Sequence, residues 1–204
     1  PKVMPQIEIP IQAGDNEVLR NMKRGYTREQ YRDLIHHVRD VVPAAAVHSD
    51  IIVGFPGETT AQFQQTYDIL AELQLDKVHL ARYSPRPGTV SARRMIDDVP
   101  DQEKRRRFHA VEALQKELLQ EKMAHYVGQI EEVLVEGRHK GRWRGRNPQG
   151  KLVFFSDRGE HKGKIAQVLI NHAGPWSMSG KLVKANARIP SSQQPGESIP
   201  LTVF

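Results

Sequence analysis

Apolar and polar residues follow one pattern up to about residue 125 and a different one after it. In the first part, short apolar runs alternate with segments whose apolar residues recur every three or four positions, which predicts strands alternating with amphipathic helices. Strands are predicted at 7–12, 47–53 and 77–83, and helices at 15–24, 27–43, 59–73 and 100–125.

Residues suited to helix ends support these assignments. Asp15 or Asn16 can cap the first helix, and Gly25 is expected to end it. Thr27 with Gln30 matches a capping box for the second helix. Strand and helix units in this order favour right-handed crossovers and a parallel sheet, whose functional loops gather at the carboxyl ends of the strands.

The predicted fold class is α/β, with residues 1–125 forming the C-terminal part of a partial (β/α) barrel and its long connecting helix. Three strand units are too few for an eight-stranded barrel, so an N-terminal half is expected to be missing. From residue 126 the apolar period becomes two and glycines separate short runs, which predicts a small antiparallel barrel over 126–186. Residues 187–204 are rich in Pro, Ser and Gln and are predicted to be a disordered tail.

Composition excludes several classes of site. The chain has no cysteine, so it cannot build disulfides or thiolate-ligated zinc or iron-sulfur sites alone. Its nine histidines show no metal-binding spacing, and no metal site is predicted. No apolar run reaches the roughly 18 residues of a membrane helix, and the N-terminus does not resemble a signal peptide, so a cytoplasmic protein is expected.

Positive charge is concentrated in the second part of the chain. Residues 126–184 hold 11 basic and 5 acidic side chains, whereas residues 1–100 hold 12 and 13. A basic, strand-rich module is typical of a nucleic-acid partner, because Lys and Arg release the counterions of phosphates. A merely solvated basic face is the alternative.

Polar residues at the predicted strand ends are candidates for ligand binding. The amide of Gln12 can donate to and accept from a ribose or carboxylate, and Gly14 lets a main chain approach a ligand closely. Arg24 can bind a carboxylate with two parallel hydrogen bonds. Asp50 is polar within an apolar strand, and Gly54 beyond it leaves room for a base edge. Structural roles, such as loop capping by Gln12 or loop anchoring by Asp50, remain the alternatives.

Two further groups are candidates for the substrate. Tyr83 and Arg86 lie at the exit of the third strand, in a loop stiffened by two prolines, where a rigid turn is the alternative role. In the second part, basic residues around one aromatic ring suit a groove that tracks an RNA backbone, namely Lys140, Arg142, Trp143, Arg144, Arg146 and Lys151. Trp176 is expected in the core, and Glu58 is expected to favour the start of the third helix.

Three segments carry a resemblance to a known family. IPIQAGDNEVLRNMKRGYT, SDIIVGFPGET and RYSPRPGT, in this order and spacing, resemble the C-terminal half of the radical-SAM barrel of methylthiotransferases. YVGQIEEVLVEG, GRWRGRN, KLVFF and GPWSMSGKLV are similar to the TRAM domain, a small RNA-binding barrel. The resemblance covers residues 1 to about 184.

The resemblance implies an enzyme that uses S-adenosylmethionine and two 4Fe-4S clusters to add a methylthio group to carbon 2 of an N6-modified adenosine in the tRNA anticodon stem-loop. It implies S-adenosylmethionine near Gln12, Arg24 and Asp50, and the substrate base near Tyr83. It also places the cluster cysteines in an N-terminal part that precedes Pro1, so the chain is interpreted as an enzyme fragment.

Other functions stay open on the sequence. Relatives that modify threonylcarbamoyladenosine in tRNA, or an aspartate of a ribosomal protein, share the strand motifs. A non-catalytic RNA-binding remnant and a phosphate-binding half-barrel are the alternatives from other classes.

Overall fold

The computed structural model describes residues 4–183, and the predicted tail at 187–204 lies outside them. The elements are β1 (Gln6–Glu8), α1 (Asn16–Asn21), α2 (Arg28–Val41), β2 (Ala46–Val53), α3 (Thr60–Leu73), β3 (Lys77–Arg82), α4 (Val90–Arg94), α5 (Asp101–Ala124), β4 (Ile130–His139), β5 (Arg142–Arg146), β6 (Leu152–Phe155), β7 (Ile165–Ala173) and β8 (Met178–Leu182).

The first three strands form a parallel sheet in the order β1-β2-β3, which confirms the predicted strand direction. Alternate residues of β2 face the helices, where Ile51 and Val53 pack with Ile35 of α2 and Leu70 of α3. Among residues 4–183, β1 and β3 each pair only with β2, so both outer edges of this sheet are open.

The first strand and the first helix are both shorter than predicted. Pro10 has no N–H, so regular pairing of β1 ends before it, and the chain rejoins β2 only at an isolated bridge between Gln12 and Ile51. The expectation that Gly25 ends α1 is wrong, because Lys23 adopts the left-handed conformation (φ 60°). The Arg24 N–H then donates to the Leu19 carbonyl across 2.9 Å and closes the helix.

The remaining helix starts follow the sequence closely. Thr27 and Gln30 form the predicted capping box of α2, and Thr59 with Gln62 forms another at α3. None of the helices between residues 4 and 183 is long and apolar enough to cross a membrane.

The second unit is a closed barrel with the strand order β4-β5-β6-β8-β7. Its interior holds Trp143, Phe155 and Ile170, together with Met123 from the end of α5. The same helix contributes Val111 to the core of the sheet, so α5 belongs to both cores. The predicted domain boundary between residues 125 and 126 therefore stays a prediction, because α5, which ends just before it, packs in the cores of both units.

A partly buried ion cluster joins the two units. Asp76, just before β3, receives Lys151 Nζ of the barrel at 3.3 Å and Lys122 Nζ of α5 at 3.5 Å. Its second carboxylate oxygen accepts the Val47 N–H at 3.0 Å. The barrel is thus anchored at the amino ends of the strands, opposite to the ends that carry the predicted site.

Candidate functional site

A cavity of about 1000 Å³ lies beside the sheet and reaches the carboxyl ends of its strands. Five predicted site residues line it, namely Gln12, Arg24, Asp50, Tyr83 and Arg86. They come from three separate strand-to-loop segments and meet because the strands are parallel. The predicted roles of these residues stay predictions.

Gln12 occupies a strained position in the cavity wall. It is buried, and its φ of 73° lies in the left-handed region that residues with a side chain rarely adopt. Such a conformation costs on the order of 1–3 kcal/mol and is often found at ligand sites. Within residues 4–183 its hydrogen bonds are made by its main chain, with the Asp50 carbonyl and the Ile52 N–H. This argues against the alternative that its side chain caps the loop.

Arg24 is exposed at the rim of the same cavity, and no carboxylate of residues 4–183 lies within ion-pair distance of it. The loop beneath it is fixed by Tyr26, whose hydroxyl donates to the carbonyls of Pro10 (2.9 Å) and Ile11 (3.1 Å). Burial raises the pKa of Tyr26, although the charge of Arg24 opposes this shift. The guanidinium of Arg24 is therefore available to an anionic ligand.

Asp50 is half-buried on the inner face of the sheet between β1 and β3. Glu8, Asp50 and His79 each offer one ligand atom within 4.8 Å of the others, and Glu8 lies 3.8 Å from His79. These residues stand on three strands, which is why the sequence spacing did not indicate the group. They are the only grouping among residues 4–183 compact enough for a metal ion, and the prediction of no metal site stays a prediction.

Tyr83 and Arg86 form the wall and the mouth of the cavity. Tyr83 is buried edge-on against Phe55, with 5.2 Å between the ring centres. Arg86 is exposed in the following loop, and its carbonyl accepts hydrogen bonds from the N–H (3.2 Å) and the hydroxyl (2.8 Å) of Thr89. The loop is thus rigid, yet it leaves the guanidinium in solvent.

The two candidate glycines, Gly14 and Gly54, do not line the cavity. A Cβ on Gly14 would lie 2.5 Å from the Cα of Thr66. The missing side chain of Gly14 therefore lets α3, rather than a ligand, pack closely against this loop. A Cβ on Gly54 would lie 2.3 Å from Cγ of Lys104, whose side chain fills the space predicted for a base edge. At both positions another part of the protein makes the close approach that the missing side chain allows, and the predicted ligand roles of these glycines stay predictions.

Glu58 also has a different role from the predicted one. It is buried and receives the Gly54 N–H (2.6 Å) and Arg107 Nη1 (2.7 Å). Burial raises the pKa of Glu58, although the Gly54 N–H and the Arg107 charge lower it in part. Arg107 stands 49 residues later, in the first half of α5, and sequence reasoning gave no sign of this pair. The pair locks the loop after β2 to the connecting helix.

The predicted basic face of the barrel changes in two places. Trp143 is only 2 % exposed, because the alternation of RWRGR in β5 turns Trp143 and Gly145 inward and the arginines outward. Lys151 is held by Asp76 at the junction of the two units. Neither is placed to contact RNA.

The other basic residues point outward in two groups. Arg144 and Arg146 pair with Glu136 at 3.5 and 3.0 Å. Lys140 and Arg142 are exposed, as is Arg138, and no carboxylate of residues 4–183 lies within ion-pair distance of these three. Arg142 lies 4.8 Å from the ring centre of Phe154, and Arg138 covers the outer side of Trp143 at 4.0 Å. We call Arg138, Lys140, Arg142 and Phe154 the basic stripe.

Trp176 was expected in the core, and this expectation is wrong. Its side chain is 57 % exposed at the turn between β7 and β8, and it lines the same cavity as Gln12 and Asp50. The barrel therefore contributes to the wall of the cavity.

Two family models match the chain. The radical SAM superfamily matches residues 2–70 and the TRAM domain matches residues 124–183. Residues of both matches line the cavity, from Gln12 to Trp176.

Curated relatives include tRNA-2-methylthio-N(6)-dimethylallyladenosine synthases. That of a Roseiflexus species is 47% identical over 189 residues, which are 91% of this chain and 40% of the relative. That of Chloroflexus aurantiacus is 45% identical over 183 residues, 88% of this chain and 39% of the relative. The chain thus spans about two fifths of the length of these relatives.

A solved structure supports the fold. The coproporphyrinogen III oxidase of Escherichia coli, a radical SAM enzyme, superposes with a TM-score of 0.50 and 18% identity over 80% of this chain and 40% of that one. Together with the family models and the relatives, this similarity confirms the predicted α/β class. Over about nine tenths of its own length the chain is thus similar to radical SAM methylthiotransferases, in segments that match the radical SAM superfamily and the TRAM domain.

Proposed function

We propose that the chain is part of a cytoplasmic tRNA methylthiotransferase that adds a methylthio group to carbon 2 of an N6-modified adenosine. The observation that carries this proposal is a single cavity lined by Gln12 and Asp50 beside the sheet, Arg24 of the loop after α1 and Trp176 of the barrel. Such an enzyme must bind a cofactor and a nucleoside next to each other, and the cavity shared by both units is large enough to hold both.

The residues of the cavity fit S-adenosylmethionine. The exposed Arg24 suits the carboxylate of its methionine part, and Gln12 and Asp50 suit its ribose and amino groups. When bound, this cofactor supplies a methyl group and, after reductive cleavage, the radical that activates the substrate. The chain's part is to hold and orient it.

The iron-sulfur clusters of the family do not fit this chain. Their ligands are cysteine thiolates, and the sequence contains none. We therefore assign the clusters to another part of the same protein.

The basic stripe is the proposed contact with the tRNA anticodon stem-loop. Lys140 and Arg142 are exposed cations without acidic partners among the described residues, so they can neutralise phosphates. Phe154 beside Arg142 offers an aromatic surface. This stripe favours RNA over the ribosomal-protein substrate that some relatives use.

A non-catalytic RNA-binding protein remains the second candidate, because the chain has no cysteine. It predicts the same RNA affinity and the same salt dependence, since phosphate contacts dominate both. Only the first candidate predicts binding of S-adenosylmethionine that depends on Arg24.

The test is a crossed binding experiment with two ligands and two variants. A fluorescent anticodon stem-loop RNA is titrated at several salt concentrations, and radiolabelled S-adenosylmethionine is measured by equilibrium dialysis. The double variant Lys140→Ala with Arg142→Ala should bind RNA more weakly, with a salt slope lower by about 2 because two phosphate contacts are lost. Its binding of S-adenosylmethionine should be unchanged.

Arg24→Ala should give the opposite result, with weaker binding of S-adenosylmethionine and an unchanged RNA titration. Each variant thus serves as the folding control of the other. An unchanged salt slope in the double variant would remove the basic stripe from the RNA contact. Equal dialysis curves for Arg24→Ala and the parent would favour the non-catalytic candidate.

A further inference from the structure

We propose that Trp176 and Gln115 form a nucleobase-binding subsite in the wall of the cavity, where one unpaired base of an RNA loop stacks on Trp176 and hydrogen-bonds to Gln115. This inference rests on the proposed function, because it needs an RNA substrate. It assigns part of the base recognition to the barrel and to α5, rather than to the loops of the sheet.

The position of Trp176 is fixed by its main chain. Ala173 and Met178 are paired across β7 and β8, and the Gly174 N–H donates to the Ser177 carbonyl at 2.9 Å, which closes a tight turn around Pro175 and Trp176. Gln120 of α5 donates to the Ala173 carbonyl at 3.3 Å and ties this turn to the helix. The ring is therefore presented to the cavity by an ordered turn, although more than half of it stays exposed.

Gln115 supplies the independent sign of a ligand. It lies in the middle of α5, is 4 % exposed and forms part of the same cavity wall. No group among residues 4–183 hydrogen-bonds either atom of its amide. Buried amides nearly always have partners, so an unpaired one beside a cavity indicates a partner that binds there.

The chemistry of these two side chains matches a base. A glutamine amide can pair with the N6 and N7 atoms of adenine, and an indole ring stacks on a base that has left a helix. Around them, the charges facing the cavity include Arg82 and Arg86 at the end of β3, with Arg82 paired to Asp101. The acidic residues that line the cavity are Asp50 on β2 and Glu112, which lies 3.3 Å from His109. An anionic RNA strand can therefore enter at the arginine side.

The two tryptophans of the chain make the test selective. Trp143 is in the barrel core and Trp176 is exposed, so a stacked base should quench only Trp176. We expect the anticodon stem-loop RNA to quench tryptophan emission of the chain, and Trp176→Phe to abolish this quenching although Trp143 remains. Trp176→Ala should weaken stem-loop binding by about 5- to 150-fold, the usual value of one base stack.

A matched RNA identifies the base. Each loop nucleotide is replaced in turn by an abasic residue. One of these RNAs should bind the parent protein more weakly than the intact stem-loop does, whereas Trp176→Ala should bind that RNA and the intact stem-loop equally well. Gln115→Leu should also weaken binding, while its melting temperature equals or exceeds that of the parent, because an unpaired buried amide is replaced by an apolar group of similar size.

The outcomes separate the two proposals. Salt-dependent stem-loop binding without quenching, and with unchanged affinity in Trp176→Ala, overturns the subsite and leaves the proposed function standing. Absence of any stem-loop binding overturns the proposed function, and the subsite with it. Lost binding in Gln115→Leu together with a lower melting temperature overturns the role of Gln115.

Discussion

The ion cluster at Asp76 should stabilise the junction between the sheet and the barrel. The perturbation that tests this is Asp76→Asn, which removes the charge, keeps the size of the side chain and leaves an oxygen to accept the Val47 N–H. Lys151 and Lys122 then lose the carboxylate charge that they share, although each keeps a hydrogen bond to a main-chain carbonyl, that of Asp76 for Lys151 and that of Gln74 for Lys122. Because one cation comes from the barrel and the other from α5, the variant should loosen both attachments.

The expected loss is about 3 kcal/mol. Two cations at 3.3 and 3.5 Å each attract a carboxylate by about 5 kcal/mol at an effective dielectric constant near 20, before desolvation is subtracted. Removing one partner of a buried pair costs about 3–5 kcal/mol. The lower end applies here, because Lys122 is partly exposed and regains water once Asp76 is neutral. For a chain of this size, that corresponds to a fall in melting temperature of about 6–12 °C.

The pH dependence follows from the shifted pKa. Burial raises the pKa of Asp76, but the charges of Lys151 and Lys122 and the Val47 N–H outweigh it, and the net pKa lies below the usual 3.8. A carboxyl group whose pKa is lowered by folding stabilises the folded state at pH values above its pKa in the unfolded chain. This stabilisation is lost as the pH falls through its pKa in the folded protein. The difference between parent and Asp76→Asn should therefore be constant above about pH 5 and shrink below pH 3.8.

The assay is urea unfolding at pH 7 followed by two probes. Circular dichroism at 222 nm reports the helices, and Trp143 emission in a Trp176→Phe background reports the barrel. Both transitions should shift in Asp76→Asn. The control is Glu72→Gln, which breaks an ion pair with Arg32 on the surface and should cost less than about 1 kcal/mol. Equal losses in the two variants would refute the assignment of the cluster as the anchor of the barrel.

Two more predictions concern the loops that build the site. Gly14→Ala should lower the unfolding free energy by more than about 3 kcal/mol, above the usual cost of overpacking, because the new Cβ would lie 2.5–2.7 Å from main-chain atoms of Gln65 and Thr66. Gly57→Ala meets no atom and should cost only the strain of its positive φ, about 1–2 kcal/mol, so equal losses would refute the packing role of Gly14. Arg107→Met should cost about 3–5 kcal/mol at pH 7, because it leaves Glu58 charged and buried. Burial already raises the pKa of Glu58, so this loss should diminish toward pH 4, and a loss independent of pH would refute the ion pair as its cause.

The fold could be predicted from the sequence because its signals are local. The change in apolar period near residue 126, the capping box at Thr27 and the long apolar stripe of α5 each involve neighbouring residues, and each matches an observed element. The errors in the bounds of β1 and α1 also have local causes, because a nearby residue ended each element earlier than the predicted one. Pro10 interrupts β1, and Lys23 takes the conformation that Gly25 seemed suited to provide.

The site was harder to predict because its contacts are distant in sequence. Lys151 and Asp76 are 75 residues apart, and Glu58 and Arg107 are 49 apart, so no spacing rule connects them. A glycine pattern likewise cannot tell whether a ligand or another part of the protein makes the close approach, and at Gly14 and Gly54 the structure shows α3 and Lys104 doing so. For Trp143 a signal did exist, since the alternation in β5 places it on the same side as Gly145.

On the proposed function, the two units can act on one substrate because the continuous helix α5 packs in the cores of both. A single helix carries Gln115 in the cavity wall and Met123 in the barrel core, which sets the distance between the cavity and the basic stripe. Phosphate contacts supply affinity but do not identify a base, whereas contacts with base edges and stacked rings do. On the proposed function, the stripe therefore positions the RNA, and the cavity with Trp176 selects the nucleoside that enters it.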